Sequence, residues 1–390
     1  MGNTPLQKNN TPEISILLPC LNEEKSITFC LDEIKQIIKK EKLNTEVIII
    51  NNNSTDNSQK IIENAQKNFP ELLLIHEKEQ GYGSAYLKGL AQARGNYIFM
   101  ADLDGSYSFL DIPIFIEKLK QGNDVVVGNR FKGSLEKKSM PWLHKNIGNP
   151  FLSFLVKIFF KVKIGDIHCG ARALSKEALK KITLYTTGME FASEMIIKAS
   201  RAHLTLLEIP IDYKNRLGTS KLNSFKDGWR HLRFILLYSP FYLFILPGIL
   251  LFLTGLILMA FSYVKTIYFF NIQFYIHPLF IFSLMILTGY QIIFFGVFSK
   301  IYALTHLGDN DSFLEKLFKY ITLEKGILAG LFVILIGCSI YLYIFIKWIN
   351  TGYGSLDEIK NSILALTFII FGIQTFFSVF MLSILGIKEK

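Results

Sequence analysis

Cysteine is scarce in these 390 residues, with four at positions 20, 30, 169 and 338. None forms a Cys-x-x-Cys pair, and no cysteine–histidine cluster keeps zinc-ligand spacing. That excludes a disulfide-stapled fold and a zinc module, and leaves four free thiols in a reducing compartment. The N-terminal MGNTPLQKNN has no apolar h-region, so no signal peptide is expected. It opens Met-Gly but carries Leu6 where a myristoylation pattern has Ser or Thr. A P-loop lysine motif is missing. Gly81-Tyr82-Gly83 lacks the third glycine of a dinucleotide fingerprint and does not lie in the first strand-to-helix turn. No internal repeat or low-complexity tract stands out. The net charge is +10, yet no basic run is interleaved with stacking aromatics, so no nucleic acid is expected as a partner. The positive charge fits a membrane, whose anionic headgroups attract juxtamembrane Lys and Arg.

What is present is apolar and unevenly spread. Half of the chain is hydrophobic. To about Arg233 the sequence reads as a mixed globular domain. Four long apolar stretches follow, at about 234–264, 275–298, 326–346 and 363–385. Each reaches the roughly 20 residues needed to cross a hydrocarbon core of about 30 Å. The loop between the second and third carries Lys300, Lys316, Lys319 and Lys325, whereas that between the first and second carries Lys265. The positive-inside rule then puts the lysine-rich loop, the N-terminal domain and Lys388–Lys390 in the cytoplasm. Lys347 and Lys360, in the last loop, weaken that contrast.

The globular half divides into a polar segment 1–12, expected to be disordered, a domain at 13–222, and a juxtamembrane helix at 223–233 leading to the membrane domain at 234–390. Strands are predicted at Ile14–Leu18, stopped by Pro19, and at Glu46–Ile50, Leu72–Ile75, Tyr97–Ala101 and Asp124–Gly128. Helices fall between the first four of them. This alternation predicts a parallel, doubly wound α/β sheet. Its loops converge on one edge, where open α/β sheets bind ligands. Gly81-x-Gly83 suits close approach of backbone to a phosphate at a helix N-terminus. The run Lys145–Val162 is apolar but broken by lysines. It reads as an amphipathic helix on a membrane surface or as a core helix of the soluble domain. In Ser224–Arg233, Phe225, Trp229 and Leu232 share one side, with Lys226, Arg230 and Arg233 placed for headgroups.

Asp102 and Asp104 end the Tyr97–Ala101 strand. Side chains two apart on an extended segment share a side, so two carboxylates are presented together. Such a pair suits a hard divalent cation and the phosphates it bridges. A solvated turn is the plain alternative. Glu190 and Glu194 stand one helical turn apart as candidate bases, or as a cap and an ion-pair partner. His168 reads as a ligand, a base or a structural histidine.

Taken in order, these segments resemble family 2 glycosyltransferases of the GT-A fold, and among them the polyprenyl-phosphate branch typified by dolichol-phosphate mannosyltransferase. The resemblance covers Ile14 to about Pro240. It rests on ISILLPCLNEE at 14–24, NSTD at 53–56, GYGSA at 81–85, ADLDG at 101–105, GNR at 128–130, DIHCGAR at 166–172 and RLGTSK at 216–221. It implies a membrane-bound, inverting hexosyltransferase that uses a GDP- or UDP-linked sugar and an undecaprenyl or dolichyl phosphate. Pro19, Leu21, Glu23 and Asn52 would line the base and ribose. Asp102 and Asp104 would hold Mg²⁺ or Mn²⁺ against the diphosphate. Arg216, Ser220 and Lys221 would close over the donor. Arg130 and Arg172 would face the acceptor phosphate, with Asp104 and Arg130 central to the chemistry. The family commonly has aspartate where this chain has Asn51.

The resemblance also implies a multi-pass protein of a bacterial or archaeal inner membrane. Its spans anchor the enzyme, offer a surface for a homo-oligomer, or help to move a lipid product. Two other readings stand beside it: a family 2 transferase with a hydroxyl acceptor, and a non-catalytic protein that binds lipid phosphate. The Gln-x-x-Arg-Trp motif of processive synthases is absent.

Overall fold

The computed structural model describes residues 11–137, 139–218, 224–265, 267–269, 272–306 and 322–386. It divides into two compact units, 1–235 and 236–390.

The first unit is built on β1 (Ile14–Cys20), β2 (Thr45–Asn51), β3 (Leu72–His76), β4 (Tyr97–Met100), β5 (Val125–Asn129), β6 (Arg172–Ser175) and β7 (Leu206–Pro210). They form one sheet in the order β3-β2-β1-β4-β6-β5-β7. The sheet is mixed rather than all parallel, because β6 runs antiparallel to both β4 and β5. The sequence beyond Gly128 held no alternation from which to read β6. Its few residues, Arg-Ala-Leu-Ser, lie between a polar loop and a short helix. β1 and β2 are buried almost throughout, as expected of strands covered on both faces. β1 continues through Pro19 to Cys20, because its pairing with β4 ends at Leu17 opposite Met100. The missing proline N–H therefore breaks no ladder bond.

Helices α1 (Ile27–Glu41), α2 (Ser58–Gln66), α3 (Tyr82–Gln92) and α4 (Ile112–Lys120) connect the strands. α1 buries Ile27, Cys30, Leu31, Ile34 and Ile37 on one stripe, at helical spacing. After β5 come α5 (Asn149–Phe160), entered by a π-type turn at His144–Gly148, then α6 (Lys176–Lys181), α7 (Phe191–Arg201) and α8 (Ser224–Leu237). α5 is two-faced. Leu152, Ser153 and Val156 are buried, while Phe151, Phe154 and Ile158, with Trp142 and Ile147 just before the helix, are exposed. On α8, His231, Phe234 and Ile235 are buried, whereas Phe225 is 82% and Trp229 62% exposed.

The second unit has α9 (Leu246–Val264), a short hairpin of β8 (Ile267–Phe269) and β9 (Ile272–Phe274), then α10 (His277–His306), α11 (Leu323–Asn350) and α12 (Ile359–Leu385). Four helices are long and apolar enough to span a membrane: Phe241–Val264, His277–Thr305, Leu323–Asn350 and Ile359–Leu385. Three of them run past the apolar windows, since Lys300, Lys325, Lys347 and Lys360 continue the helices at their ends.

The packing shows an internal correspondence that the sequence did not disclose. A Cβ on Gly248 would fall 2.9 Å from the Gly289 carbonyl oxygen, and one on Gly330 would fall 3.0 Å from that of Gly372. Gly255 and Gly337, further along α9 and α11, press in the same way on α10 and α12. Small residues let the helix backbones touch where lipid supplies no hydrophobic drive. Ser283 bonds Thr367, and Tyr290 bonds Thr375, each at 2.7 Å, tying α10 to α12.

Candidate active site

The site begins where β1, β2 and β4 end. Asn22, at φ 53°, turns the chain out of β1, and its side-chain oxygen accepts from Thr55 N at 2.7 Å. Glu23 N donates to Ser58 Oγ at 2.9 Å, and Glu24 N donates to Asp56 Oδ2 at 3.1 Å. The loop carrying Pro19, Leu21 and Glu23 is thereby laced to the one carrying Asn52. Asn52 is buried; its amide donates to the carbonyls of Glu77 and Glu79 and accepts from Gly81 N. Asn51 accepts from Ser54 N at 3.0 Å. The Asn52 amide has a structural reason, since an aspartate there could not donate to two carbonyls.

Asp102 and Asp104 follow β4. Asp104 is buried, and its Oδ1 accepts from Ser106 N at 2.9 Å and from the Ser106 hydroxyl. Its Oδ2 is held by the Arg216 guanidinium. Leu217 N also donates to Asp104 O at 2.9 Å, and Lys214 N donates to Ser106 O at 2.9 Å. The 214–217 segment therefore lies along the Asp-x-Asp turn. Gly105 permits this twice over, with φ +80° and a missing Cβ that would meet Leu217 at 3.0 Å. Burial and the Asp104 charge push the Asp102 carboxyl up, against Arg216, Arg130 and the Tyr82 hydroxyl, which lower it. Gly170 closes the other side: a Cβ there would sit 2.6 Å from Asp102 Oδ2. Its N–H donates to the Tyr107 hydroxyl at 2.8 Å.

Further along, Arg130 and Asp166 form a buried, two-bond pair, with Nε–Oδ2 at 2.7 Å and Nη2–Oδ1 at 2.9 Å. Arg130 also lies over the Tyr213 ring, 5.1 Å from its centroid. Arg172 does not face a ligand. It is 1% exposed, and its guanidinium donates to the carbonyls of Ile167, Cys169 and Ala192. It fixes the 166–172 loop instead of waiting for an acceptor phosphate. A basic residue in a motif gives no sign of which carbonyls will surround it.

The Gly81-x-Gly83 turn is likewise not open to a phosphate. Cβ atoms there would fall 2.3 Å from Thr187 O and 2.1 Å from Thr186 O. The glycines admit another backbone segment. Glu194 is the ion-paired reading: it accepts from Tyr185 N, Thr186 N and the Thr186 hydroxyl, and pairs with Lys198 at 2.8 Å. Glu190 differs, since its Oε2 is buried with no hydrogen-bond partner among the described residues. Burial pushes the Cys169 thiol up to about 12, so it is no nucleophile at neutral pH. Ser220 and Lys221 lie outside the described residues.

A cavity of about 350 Å³ opens between these parts. Arg130, Tyr213, Asn215 and Arg216 line it on the charged side, and Met140, Pro141, Leu143, Leu152 and Met189 supply apolar wall. His144, His168, His231 and the acidic Asp227 also line it. The sequence indicated Arg130 and Arg216 but not their partnership through Tyr213. Nor did it show that His231 meets His168.

The donor set at Asp102 and Asp104 fits a hard divalent ion. Two carboxylates lie together, one destabilised by the other's charge and the other matched by a cation from Arg216. Among the described residues no group of three or more His, Cys, Asp or Glu is placed to hold a metal, so further ligands must come from substrate phosphates or water.

Comparison with known proteins accords with this arrangement. Residues 15–183 match Glycosyl transferase family 2, and residues 297–386 match the Glycosyltransferase family 2 C-terminal transmembrane region. The low-salt glycan biosynthesis hexosyltransferase Agl6 of Haloferax volcanii is 34% identical over 379 residues, covering 96% of this chain and 89% of that protein. The dolichol-phosphate mannosyltransferase of Pyrococcus furiosus is 26% identical over 227 residues, 57% of this chain and 62% of that one. The glucosyl-3-phosphoglycerate synthase of Mycobacterium tuberculosis, in a crystal structure with Mn²⁺ and uridine diphosphate, is 17% identical with a TM-score of 0.45. That match covers 58% of this chain and 77% of the other. With residues 15–183 and 297–386 matched by the two family models and a 34%-identical relative covered over 89% of its length, the chain belongs to glycosyltransferase family 2, as a membrane-associated GT-A enzyme.

Proposed function

We propose that the protein transfers a hexose from a GDP- or UDP-linked donor to a polyprenyl phosphate, with inversion at the anomeric carbon, at the cytoplasmic face of a membrane. The observation that carries this reading is the cavity beside Arg216. Its lining combines the cationic and amide groups of Arg130, Arg216 and Asn215 with the apolar side chains of Met140, Leu143, Leu152 and Met189. A phosphate on an isoprenoid chain combines the same two chemistries. The exposed aromatic and aliphatic side of α5, with Trp142, and Phe225 and Trp229 on α8, supports it, because a contiguous apolar patch on a soluble surface marks a membrane or protein contact. Lys300 and Lys325 near the second-to-third loop support the orientation.

The donor's diphosphate lies against Asp102, Asp104 and Arg216, and its nucleoside against the loops of Pro19, Leu21, Glu23 and Asn52. A divalent ion, Mg²⁺ or Mn²⁺, held by Asp102 and Asp104 would neutralise charge on the leaving diphosphate. Arg216 leaves Asp104 for the diphosphate when the donor binds, and its Nε, buried without a partner among the described residues, is ready for that bond. An acceptor phosphate oxygen attacks the anomeric carbon from the far side as the bond to the diphosphate breaks. The nucleophile is already an anion, so no residue needs to remove a proton. Arg130, fixed by Asp166, orients the phosphate rather than supplying an unpaired charge.

Glu190 favours a second reading. Its unpartnered carboxylate oxygen could serve as the base that a hydroxyl acceptor needs.

The test is a transfer assay on detergent-purified protein with labelled sugar nucleotides, Mg²⁺ or Mn²⁺, and undecaprenyl or dolichyl phosphate. The expected product is a mild-acid-labile monoglycosyl lipid. It should disappear with EDTA and fall at least about a thousandfold in Asp104→Ala, a protein that still folds. An Asp104→Ala enzyme of full activity refutes the mechanism. Transfer to a hydroxyl acceptor, abolished in Glu190→Gln, establishes the second reading.

A further inference from the structure

His168 is a polar group of this unit whose two ring nitrogens, both buried, are left without a hydrogen-bond partner among the described residues. Its ring packs edge to face on His231, with centroids 4.3 Å apart and planes at 82°. His231 is itself held, with Nδ1 3.0 Å from the Ser193 hydroxyl on α7. Both histidines line the cavity. A buried imidazole that makes no hydrogen bond costs free energy, unless a ligand completes it.

The neighbours indicate what kind of ligand. Burial, followed by the electrostatic influence of His231, Arg130, Arg172 and His144, holds its pKa well below the usual imidazole range. Asp227 is the acidic group facing His231, whose pKa burial nevertheless lowers to about 4. The ring is therefore neutral, with one N–H to give and one lone pair to fill. Arg130, paired with Asp166, and Arg216 bring cations to the lining beside a single acidic group, Asp227, so a phosphate oxygen that accepts from the neutral imidazole also meets positive charge. The apolar wall formed by Met140, Leu143 and Leu152 favours a ligand carrying a hydrocarbon chain.

We propose that His168 binds the acceptor, its imidazole N–H donating to an oxygen of a phosphate monoester in this cavity, and that His231, anchored by Ser193, is the positioning residue that holds the ring. This rests on the lipid-phosphate reading above and extends it to residues outside the charged set. The shared chemistry is a phosphate monoester. The apolar wall selects the lipid source over a soluble one.

The experiment uses the full chain in detergent with farnesyl phosphate, farnesol and glycerol 3-phosphate as probes. His168→Phe keeps a ring without nitrogen, and His168→Asn restores a donor. In His168→Phe the KM for farnesyl phosphate should rise about tenfold or more while the donor KM and the melting temperature hold, and His168→Asn should recover part of the loss. His231→Phe should raise the same KM less, again without moving the donor KM. In the wild type, the ¹⁵N-imidazole resonances of His168, assigned by their loss in His168→Asn, should shift with farnesyl phosphate and not with farnesol. An equal response to glycerol 3-phosphate overturns the lipid source. Wild-type glycosyl-lipid synthesis with an unaltered acceptor KM in His168→Phe overturns the proposal and leaves the transferase reading intact. A His168 shift with farnesyl phosphate, but no product from any donor, supports this site and overturns the reaction.

Discussion

Two parts of the site handle charge in opposite ways. At the carboxylate end, Asp102 and Asp104 crowd each other, and a single guanidinium from a loop, Arg216, covers one of them. At the imidazole end, Arg130 is paired with Asp166, Arg172 is enclosed by three carbonyls, and burial holds the rings of His168 and His231 neutral. On the proposed reading, the first end takes a divalent cation and then a diphosphate, and the second takes a partner that accepts hydrogen bonds. The difference shows that a motif residue's charge does not reveal its role. Arg216 and Arg172 are both basic residues of a motif, yet the first is held by one carboxylate, while the second is enclosed by three carbonyls.

Three substitutions press on this contrast. The largest effect belongs to the carboxylate end. Gly170→Ala puts a Cβ against Asp102 Oδ2. Displacing that carboxylate by a few tenths of an ångström or more should lower kcat about a hundredfold with the melting temperature little changed, by steady-state assay. Equal activity would show that Asp102 has slack the packing denies.

Arg216→Met should be intermediate. It removes the cation that competes for Asp104, so Mn²⁺ should bind the nucleotide-free protein more tightly by calorimetry. Transfer should nevertheless fall about tenfold, the equivalent of about 1.4 kcal/mol, because the diphosphate loses a donor. Weaker Mn²⁺ binding would mean that Arg216 organises the site rather than occupying it.

The smallest effect lies at the imidazole end and follows from pH. The His231 pKa is lowered to about 4, so the unfolded chain binds the extra proton first. The contribution of neutral His231 is complete above the ordinary imidazole pKa and is lost as pH falls from about 6.5 toward 4. His231→Gln should remove part of the wild type's loss of melting temperature over that window, about 2–4 °C. An identical pH profile in the variant would count against a neutral, buried pair.

Much of the fold was legible where its chemistry is local. The alternation of β1 to β4 with helices, the paired aspartates after β4 and the apolar spans each depend on residues close in sequence. β6 was not legible, since a four-residue antiparallel strand carries no period of its own and is defined by its two neighbours. The glycines were misread for the same reason. Gly81 and Gly83 looked like a phosphate turn, and their space is filled by Thr186 and Thr187, a hundred residues on. The correspondence between Gly248–Gly289 and Gly330–Gly372 is absent from any one stretch because it is a relation between two helix pairs.

The sequence by itself determined the class of the protein: apolar spans long enough to cross a bilayer, and an Asp-x-Asp turn at the end of a buried strand. Period, length and side-chain chemistry act over a few residues and need no partner. Tertiary structure alone decided which arginine is enclosed and which is held by a single carboxylate, and that His168 meets His231, itself held by Ser193, with its nitrogens unpartnered among the described residues. Burial and hydrogen-bond partnership are properties of segments brought together from far apart, and they set whether a polar group supports the fold or remains free for a ligand.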